Sequence, residues 1–458
     1  MNLLKEFDQK DLTNIGQELY RFAEELYPIC RSITGDGIRR TLRAIQNRIP
    51  LRFLEVPTGT AVFDWKVPKE WNIRDAYIKD SRGKRVVDFQ DSNLHVLNYS
   101  TPVRAKMPLS ELKLHLYTLP ANPEWIPYRT SYYKEDWGFC LSHNQMLALE
   151  DGEYEVCIDS TLQDGHLTYG ECFLPGRSAD EVLISCHVCH PSLANDNLSG
   201  LTVATLLARI LSGRDLHYSY RFLFIPGTIG AITWLAQNRA DADRVRHGLV
   251  LTCIGDRGRF HYKKSRRGNA EIDRAVSHVL THHSESPEFL DFTPYGYDER
   301  QYCSPGFNLP VGCLMRSVWG SFPEYHTSAD NLEFVHPLQL AGSLRMCTAI
   351  LDVLENNRRY RNLNPYCEPQ LGKRNLYHST GGDGVAADIN ARLWVLNFSD
   401  GEFSLLDIAE RSGIPFSLIG QAADLLCQAG LLAPVLGDSV RETPGHRSHE
   451  ETPSSSRS

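Results

Sequence analysis

No stretch of this 458-residue chain reaches the roughly 18 consecutive apolar residues that would cross a bilayer, so no membrane span is expected. The opening Met1-Asn-Leu-Leu-Lys-Glu-Phe-Asp-Gln-Lys10 lacks an apolar core long enough for a secretory signal. Long basic runs are missing as well, and the formal charge is −8 at pH 7, which leaves neither nucleic acid nor an anionic membrane as an expected partner. Twelve cysteines are scattered without a paired framework. Several of them (Cys30, Cys253, Cys347, Cys427) sit in apolar runs, as reduced thiols do, and a cytoplasmic protein is the expectation. No repeat recurs at a fixed period. What is present suffices for proper cores: 42% of residues are apolar and 10% aromatic, and the length suggests about two to four domains.

The most informative stretch is Ser185-Cys-His-Val-Cys-His-Pro-Ser-Leu-Ala-Asn-Asp-Asn-Leu-Ser-Gly200. Before it, Glu181 to Ser185 is a short apolar run of buried-strand type. After it, Val203, Leu206, Leu207, Ile210 and Leu211 recur at helical spacing until Gly213. The polar cluster thus falls where the carboxyl end of a strand meets a helix start, the place where open α/β sheets bind ligands. Three chemistries compete for it. Cys186-x-x-Cys189-His190 satisfies a haem-attachment pattern, but that belongs to exported proteins. A thioredoxin-like redox pair would have its CxxC opening the helix. The third reading takes His187, at the strand end, and Asp196, in the turn before the helix, as zinc ligands. Its plainer counterpart makes Asp196 an N-cap and His187 a hydrogen-bonded core residue.

A second constellation follows more than a hundred residues on: Tyr297-Asp-Glu-Arg-Gln-Tyr-Cys-Ser-Pro-Gly306, then Pro323-Glu-Tyr-His-Thr-Ser-Ala-Asp-Asn331. Together, the strand His187, the turn Asp196 in Asp-Asn-x-Ser-Gly and the late His326 before Thr-Ser-x-Asp resemble the co-catalytic zinc aminopeptidases and their glutaminyl cyclase relatives. Strings such as Tyr220-Arg-Phe-Leu-Phe-Ile-Pro-Gly-Thr-Ile-Gly230 and Asp298-Glu-Arg-Gln-Tyr-Cys-Ser-Pro-Gly306 are more closely similar to bacterial aminopeptidase-like proteins often encoded among polysaccharide biosynthesis genes. The match covers roughly residues 1 to 435. It implies an α/β fold: a mixed-sheet, zinc-aminopeptidase-like core with an inserted β-rich domain and a C-terminal winged helix.

Departures from that pattern limit what the resemblance implies. Where an aminopeptidase has Glu-Glu, as general base and zinc ligand, this chain reads Pro226-Gly227-Thr228. Thr252 stands where a ligand Asp is expected, with Asp256 four residues later, and Cys189 replaces the Asp that orients the ligand histidine. His187, Asp196 and His326 remain, enough for one zinc per chain with an open fourth position. Zinc can lower the pKa of a bound water toward about 7, and a general base is still required. Glu299 is the first expected candidate and Glu324 the second, with pairing to an arginine as the alternative for Glu299. His190, Asp298 and Asp330 are expected as supporting partners or alternative ligands.

The chain is expected to divide into residues 1–58 (first part of the aminopeptidase-like domain), 59–160 (β-rich insert), 161–370 (second part), 375–436 (winged helix) and 437–458 (disordered tail). Within the insert, Pro127 to Trp137 concentrates aromatic and charged side chains, suited to a substrate wall or to a seam between domains. In the terminal module Ser404-Leu-Leu-Asp407 is a capping-box-like start and Gly413-Ile-Pro415 a turn. The presumptive recognition helix, Ser417 to Gly430, contains no Lys or Arg, so docking or homo-oligomer formation is expected there rather than DNA binding. Three functions stay open: a zinc-dependent hydrolase acting on a small-molecule or peptide-like amide, a metal-stabilised binding or assembly protein, and a cyclising acyl transferase.

Overall fold

The structure, a computed structural model, describes residues 9–376 and 383–435, so the tail expected at 437–458 lies outside the described residues. The chain separates into two units at Glu355/Asn356.

The first unit is built on an eight-stranded mixed sheet. Its strands are β1 (Arg52–Pro57), β2 (His166–Leu174), β3 (Glu181–His187), β4 (Ser219–Ile225), β5 (Val245–Leu251), β6 (His261–Lys263), β7 (Glu288–Leu290) and β8 (Val311–Met315), in the order β1-β2-β4-β3-β5-β8-β6-β7. The central β4, β3, β5 and β8 are parallel, and β1 and β2 add to one side antiparallel. Every residue of β3, β4 and β8 is buried, which is why these strands read as continuous rather than alternating apolar runs. From β3 the chain passes through helix Gly200–Leu211 to β4 on one side, and from β4 through Ile229–Gln237 to β5 on the other. The connections therefore diverge between β3 and β5, and a crevice opens at their carboxyl ends.

The helix after the crevice needs no polar face: Leu201, Val203, Ala204, Leu207 and Leu211 are all buried, and Gly213, at φ 77°, turns the chain away. The segment Ala194–Ser199 that precedes it is not regular helix, since Asp196 (φ −109°, ψ 80°) and Asn197 (φ −144°, ψ 37°) leave the helical region. Side chains fasten it instead. The Asn197 amide donates to the Leu251 carbonyl at the end of β5 (2.9 Å), and the Asn195 amide donates to Asp256 (2.8 Å).

The β-rich segment forms a four-stranded antiparallel sheet in the order Arg85–Asp88, Glu70–Lys79, Glu153–Gln163, Val103–Pro108. Glu153–Gln163 runs through a short turn into β2, so the sheet extends past the expected limit at residue 160.

In the second unit, helices Asp383–Phe398, Leu405–Ser412 and Phe416–Gln428 accompany a three-stranded antiparallel sheet of Arg359–Asn362, Asp400–Ser404 and Leu432–Pro434. Because Arg359–Asn362 pairs with both later strands, this unit begins at Asn356 and not at the 370–375 boundary drawn from sequence. Ser404 and Asp407 form a capping box, and Gly413 ends its helix at φ 67°. Among the described residues no helix is long and apolar enough to cross a membrane, and all twelve cysteines are free.

Candidate metal centre

His187 is the last residue of β3, so the strand delivers its ring directly to the crevice. Asp196 points back from the segment that fills the crevice and is fully buried. Its carboxylate is the hub of the site. Oδ1 lies 2.8 Å from His187 Nε2 and accepts from the Tyr297 hydroxyl at 2.7 Å; Oδ2 lies 3.0 Å from His326 Nε2 and 3.1 Å from His190 Nδ1. The structure thus gathers His187, Asp196 and His326 around one carboxylate, and adds His190. Among the described residues, His187, His190 and Asp196 form a group that could hold an ion, their ligand atoms all lying within 4.8 Å of one another. Two imidazoles and a carboxylate are donors that suit zinc.

Backbone from three places holds this geometry. Asp330 receives the backbone N–H groups of Asn195 (2.6 Å) and Asp196 (3.0 Å), so it shapes the turn that aims Asp196. His326 adopts φ 56°, a left-handed conformation that costs a non-glycine residue of order 1 kcal/mol. The β-rich segment pins it there: the Tyr128 N–H donates to the His326 carbonyl (2.8 Å) and the Ser328 N–H to Ile126 (2.8 Å). Tyr128 itself lies edge-on to His190 (5.1 Å) and His326 (5.0 Å), so one aromatic from the Pro127–Trp137 string packs against two of the imidazoles. Tyr297 stacks on His187 at 4.5 Å, and its hydroxyl is 2.9 Å from that of Tyr325.

The electrostatics follow from burial and mutual attraction. Burial alone would raise the Asp196 carboxyl, but His190 and His187 outweigh it and hold Asp196 well below the usual carboxylate range. Desolvation lowers His187 and His326 from the ordinary imidazole value. Desolvation also opposes a proton on His190, yet the charges of Asp196 and Cys189 overcome it and raise His190 well above that value.

The two expected bases lie differently. Glu299 is fully buried, and its Oε1 accepts from Lys263 Nζ at 2.9 Å, so a lysine, not an arginine, engages it as an anchor. Glu324 is half-exposed two residues before His326, and its backbone carbonyl accepts from Thr327. Asp256 is spent on Asn195 and Ser317 (2.8 and 2.7 Å). Cys186 and Cys189 point to different carbonyls, those of Gly200 and Gly227, and both are free thiols. Sequence reasoning missed Tyr297, although it directly precedes the Asp298-Glu299 string that drew attention.

A mixed α/β core with this crevice is an aminopeptidase-like fold. Residues 20–357 match the sequence model of a family described as a domain of unknown function, DUF4910, and the chain belongs to that family; residues 358–434 match a winged helix-turn-helix. A Clostridium acetobutylicum protein, named provisionally a polysaccharide biosynthesis protein with aminopeptidase-like domain, is 53% identical over 418 residues, covering 91% of this chain and 96% of its own. A crystal structure from the same organism, provisionally called a peptidase, superposes with TM-score 0.89 at 51% identity, over 93% of this chain and 98% of that one. The zinc aminopeptidase of Bacillus subtilis shares the fold at 11% identity (TM-score 0.54, 73% of this chain and 94% of that one).

Proposed function

We propose that the chain is a zinc-dependent hydrolase of the aminopeptidase type, binding one zinc and cleaving an amide or peptide-like bond. The observation that carries this reading is the fully buried Asp196 with His187, His190 and His326 converging on its two oxygens. His187, Asp196 and either His190 or His326 would hold the ion. A bound zinc would polarise the scissile carbonyl and activate water. The remaining work falls to the chain's own groups. The Tyr297 hydroxyl fixes Asp196 Oδ1, Asp330 fixes the turn, and Tyr128 packs edge-on against the His190 and His326 rings. Glu324, half-exposed beside His326, is the proton acceptor we assign, with Glu299 as the anchored alternative. The Clostridium acetobutylicum relative is named for polysaccharide biosynthesis, and on that ground the substrate we assign is an amino-sugar or aminoacyl group.

Elemental analysis, followed by a screen of aminoacyl and N-acyl substrates with and without chelator, tests this reading. Turnover that chelator abolishes and zinc restores is expected; zinc bound without turnover would sink the enzyme reading. The second reading, a metal-stabilised binding or assembly protein, is favoured by one observation: Gly227 and Thr228 bring no carboxylate to the crevice.

A further inference from the structure

Of the five buried acidic side chains Asp196, Asp256, Asp298, Glu299 and Asp330, four are engaged. Asp196 has three imidazoles and a tyrosine, Asp330 two backbone N–H groups, Asp256 Asn195 and Ser317, and Glu299 Lys263. Asp298 is the fifth. It is fully buried, and among the described residues neither of its carboxylate oxygens has a hydrogen-bond partner. Buried polar groups are ordinarily satisfied, and an orphaned carboxylate calls for an explanation.

Its position supplies one. A Cβ placed on Gly227 would stand 3.1 Å from His187 Cβ and 3.7 Å from Asp298 Oδ1. Gly227, having no side chain, puts nothing between the metal-centre histidine and this carboxylate. The charged groups around Asp298 are Glu299, Arg300 and His190, and none of them donates to it.

Charge supplies the other. His187, His190 and Asp196 offer one negative charge to an ion carrying two positive ones, and residual charge in a buried site is costly. We propose that Asp298 is the carboxylate that balances a divalent cation held at His187, His190 and Asp196, reaching the centre from the turn before Glu299–Tyr302 in place of the side chains that Gly227 and Thr228 do not bring. The inference rests on the metal reading above. It makes the metal-free protein the frustrated form: Asp298 gains a counter-charge in the site when the ion is bound, and without it faces only Arg300 and His190, neither of which donates to it.

The consequence is a pair of effects with opposite signs. In metal-stripped full-length protein, D298N should bind zinc roughly 10- to 100-fold more weakly than wild type in competition with a chromophoric chelator, the range typical of groups supporting a metal site. The metal-free Tm of D298N should equal or exceed that of wild type, because the unpaired carboxylate is gone. D298A should weaken zinc at least as much, and H187A should remove binding. Wild-type zinc affinity in both D298N and D298A would overturn the role of Asp298 and leave the metal reading standing. A lowered metal-free Tm in both would overturn it too, by giving Asp298 a structural role. Wild type that binds no zinc while folded would overturn both.

Discussion

The two ends of strand β3 bury charge in opposite ways. At its first residue, Glu181 is met by Arg221 (2.7 and 3.0 Å) and Arg244 (3.0 Å); Arg221 reaches on to Glu171 (2.7 Å), which also takes Trp234 and Arg52. That network is closed, because every charge has an opposite partner of fixed geometry. At the last residue, six positions along, His187 faces an acidic hub ringed by imidazoles and, across Gly227, a carboxylate with no hydrogen-bond partner. One strand shows both uses of buried charge. Structural groups satisfy one another, whereas, on the metal reading proposed above, groups that await a ligand are left incomplete.

Breaking the closed end should have the largest effect. Arg221→Met would leave Glu181 and Glu171 under-compensated in the core, and removing one partner of a buried pair typically costs about 3–5 kcal/mol. Arg244 and Arg52 remain, so the lower part of that range is expected. Chemical denaturation of metal-free protein measures it. A loss under 1 kcal/mol would mean that the network is decoration, and zinc affinity should not change.

The next largest effect belongs to the open end. An ion that binds only the folded chain stabilises it by about 2.7 kcal/mol at a hundredfold excess over Kd. Wild type should therefore gain Tm with zinc, and His187→Ala should lose that gain while keeping most of its metal-free stability. An undiminished gain in His187→Ala would move the centre elsewhere, with His190 and His326 as the next residues to change.

The closed end was legible mainly as strand, and the open end mainly as chemistry. Glu181 to Ser185 reads as a buried strand, and the polar run after it reads as a ligand turn, because periodicity and side-chain type are local properties. His187 and Asp196 are only nine positions apart, so one stretch of sequence holds both. His326, 130 positions from Asp196, was placed only through resemblance to a family pattern. Tyr297 meets Asp196 across 101 positions, and Lys263 meets Glu299 across 36; no local signal announces either pairing. Asp298 and Glu299 are neighbours of the same charge, and sequence favoured Glu299 for proton transfer. Topology divides their roles, by putting a lysine on one and nothing on the other.

A smaller effect, in pH, sharpens the contrast between ends. Burial first, and then the charge of Glu299, push the Asp298 carboxyl up to about 8, with Arg300 and His190 partly opposing. The fold therefore prefers this group protonated. Its contribution to stability is fully present below the ordinary carboxylate value of about 3.9 and is lost as pH rises through about 8. In chelator, wild-type Tm should decline between pH 6 and 8.5. Asp330, also raised to about 8 by burial, adds a loss of the same sign, so Asp298→Asn should remove part of the slope and not all of it. Identical slopes in wild type and variant would show that Asp298 is not a source of the decline.

The smallest effect is expected where charge is not concentrated at all. Helix Phe416–Gln428 occupies the place of a recognition helix in the second unit and contains no lysine or arginine. A helix entering a DNA groove owes most of its affinity to phosphate neutralisation, and each neutralised phosphate steepens the fall of log K with log salt. With none available on this helix, titration of labelled duplex DNA should give no salt-sensitive binding near physiological ionic strength. Sub-micromolar affinity falling steeply with salt would overturn that, and would place the phosphate-binding residues outside Phe416–Gln428. A flat titration would leave a protein surface as the kind of partner this helix suits, since it has nothing with which to hold a polyanion.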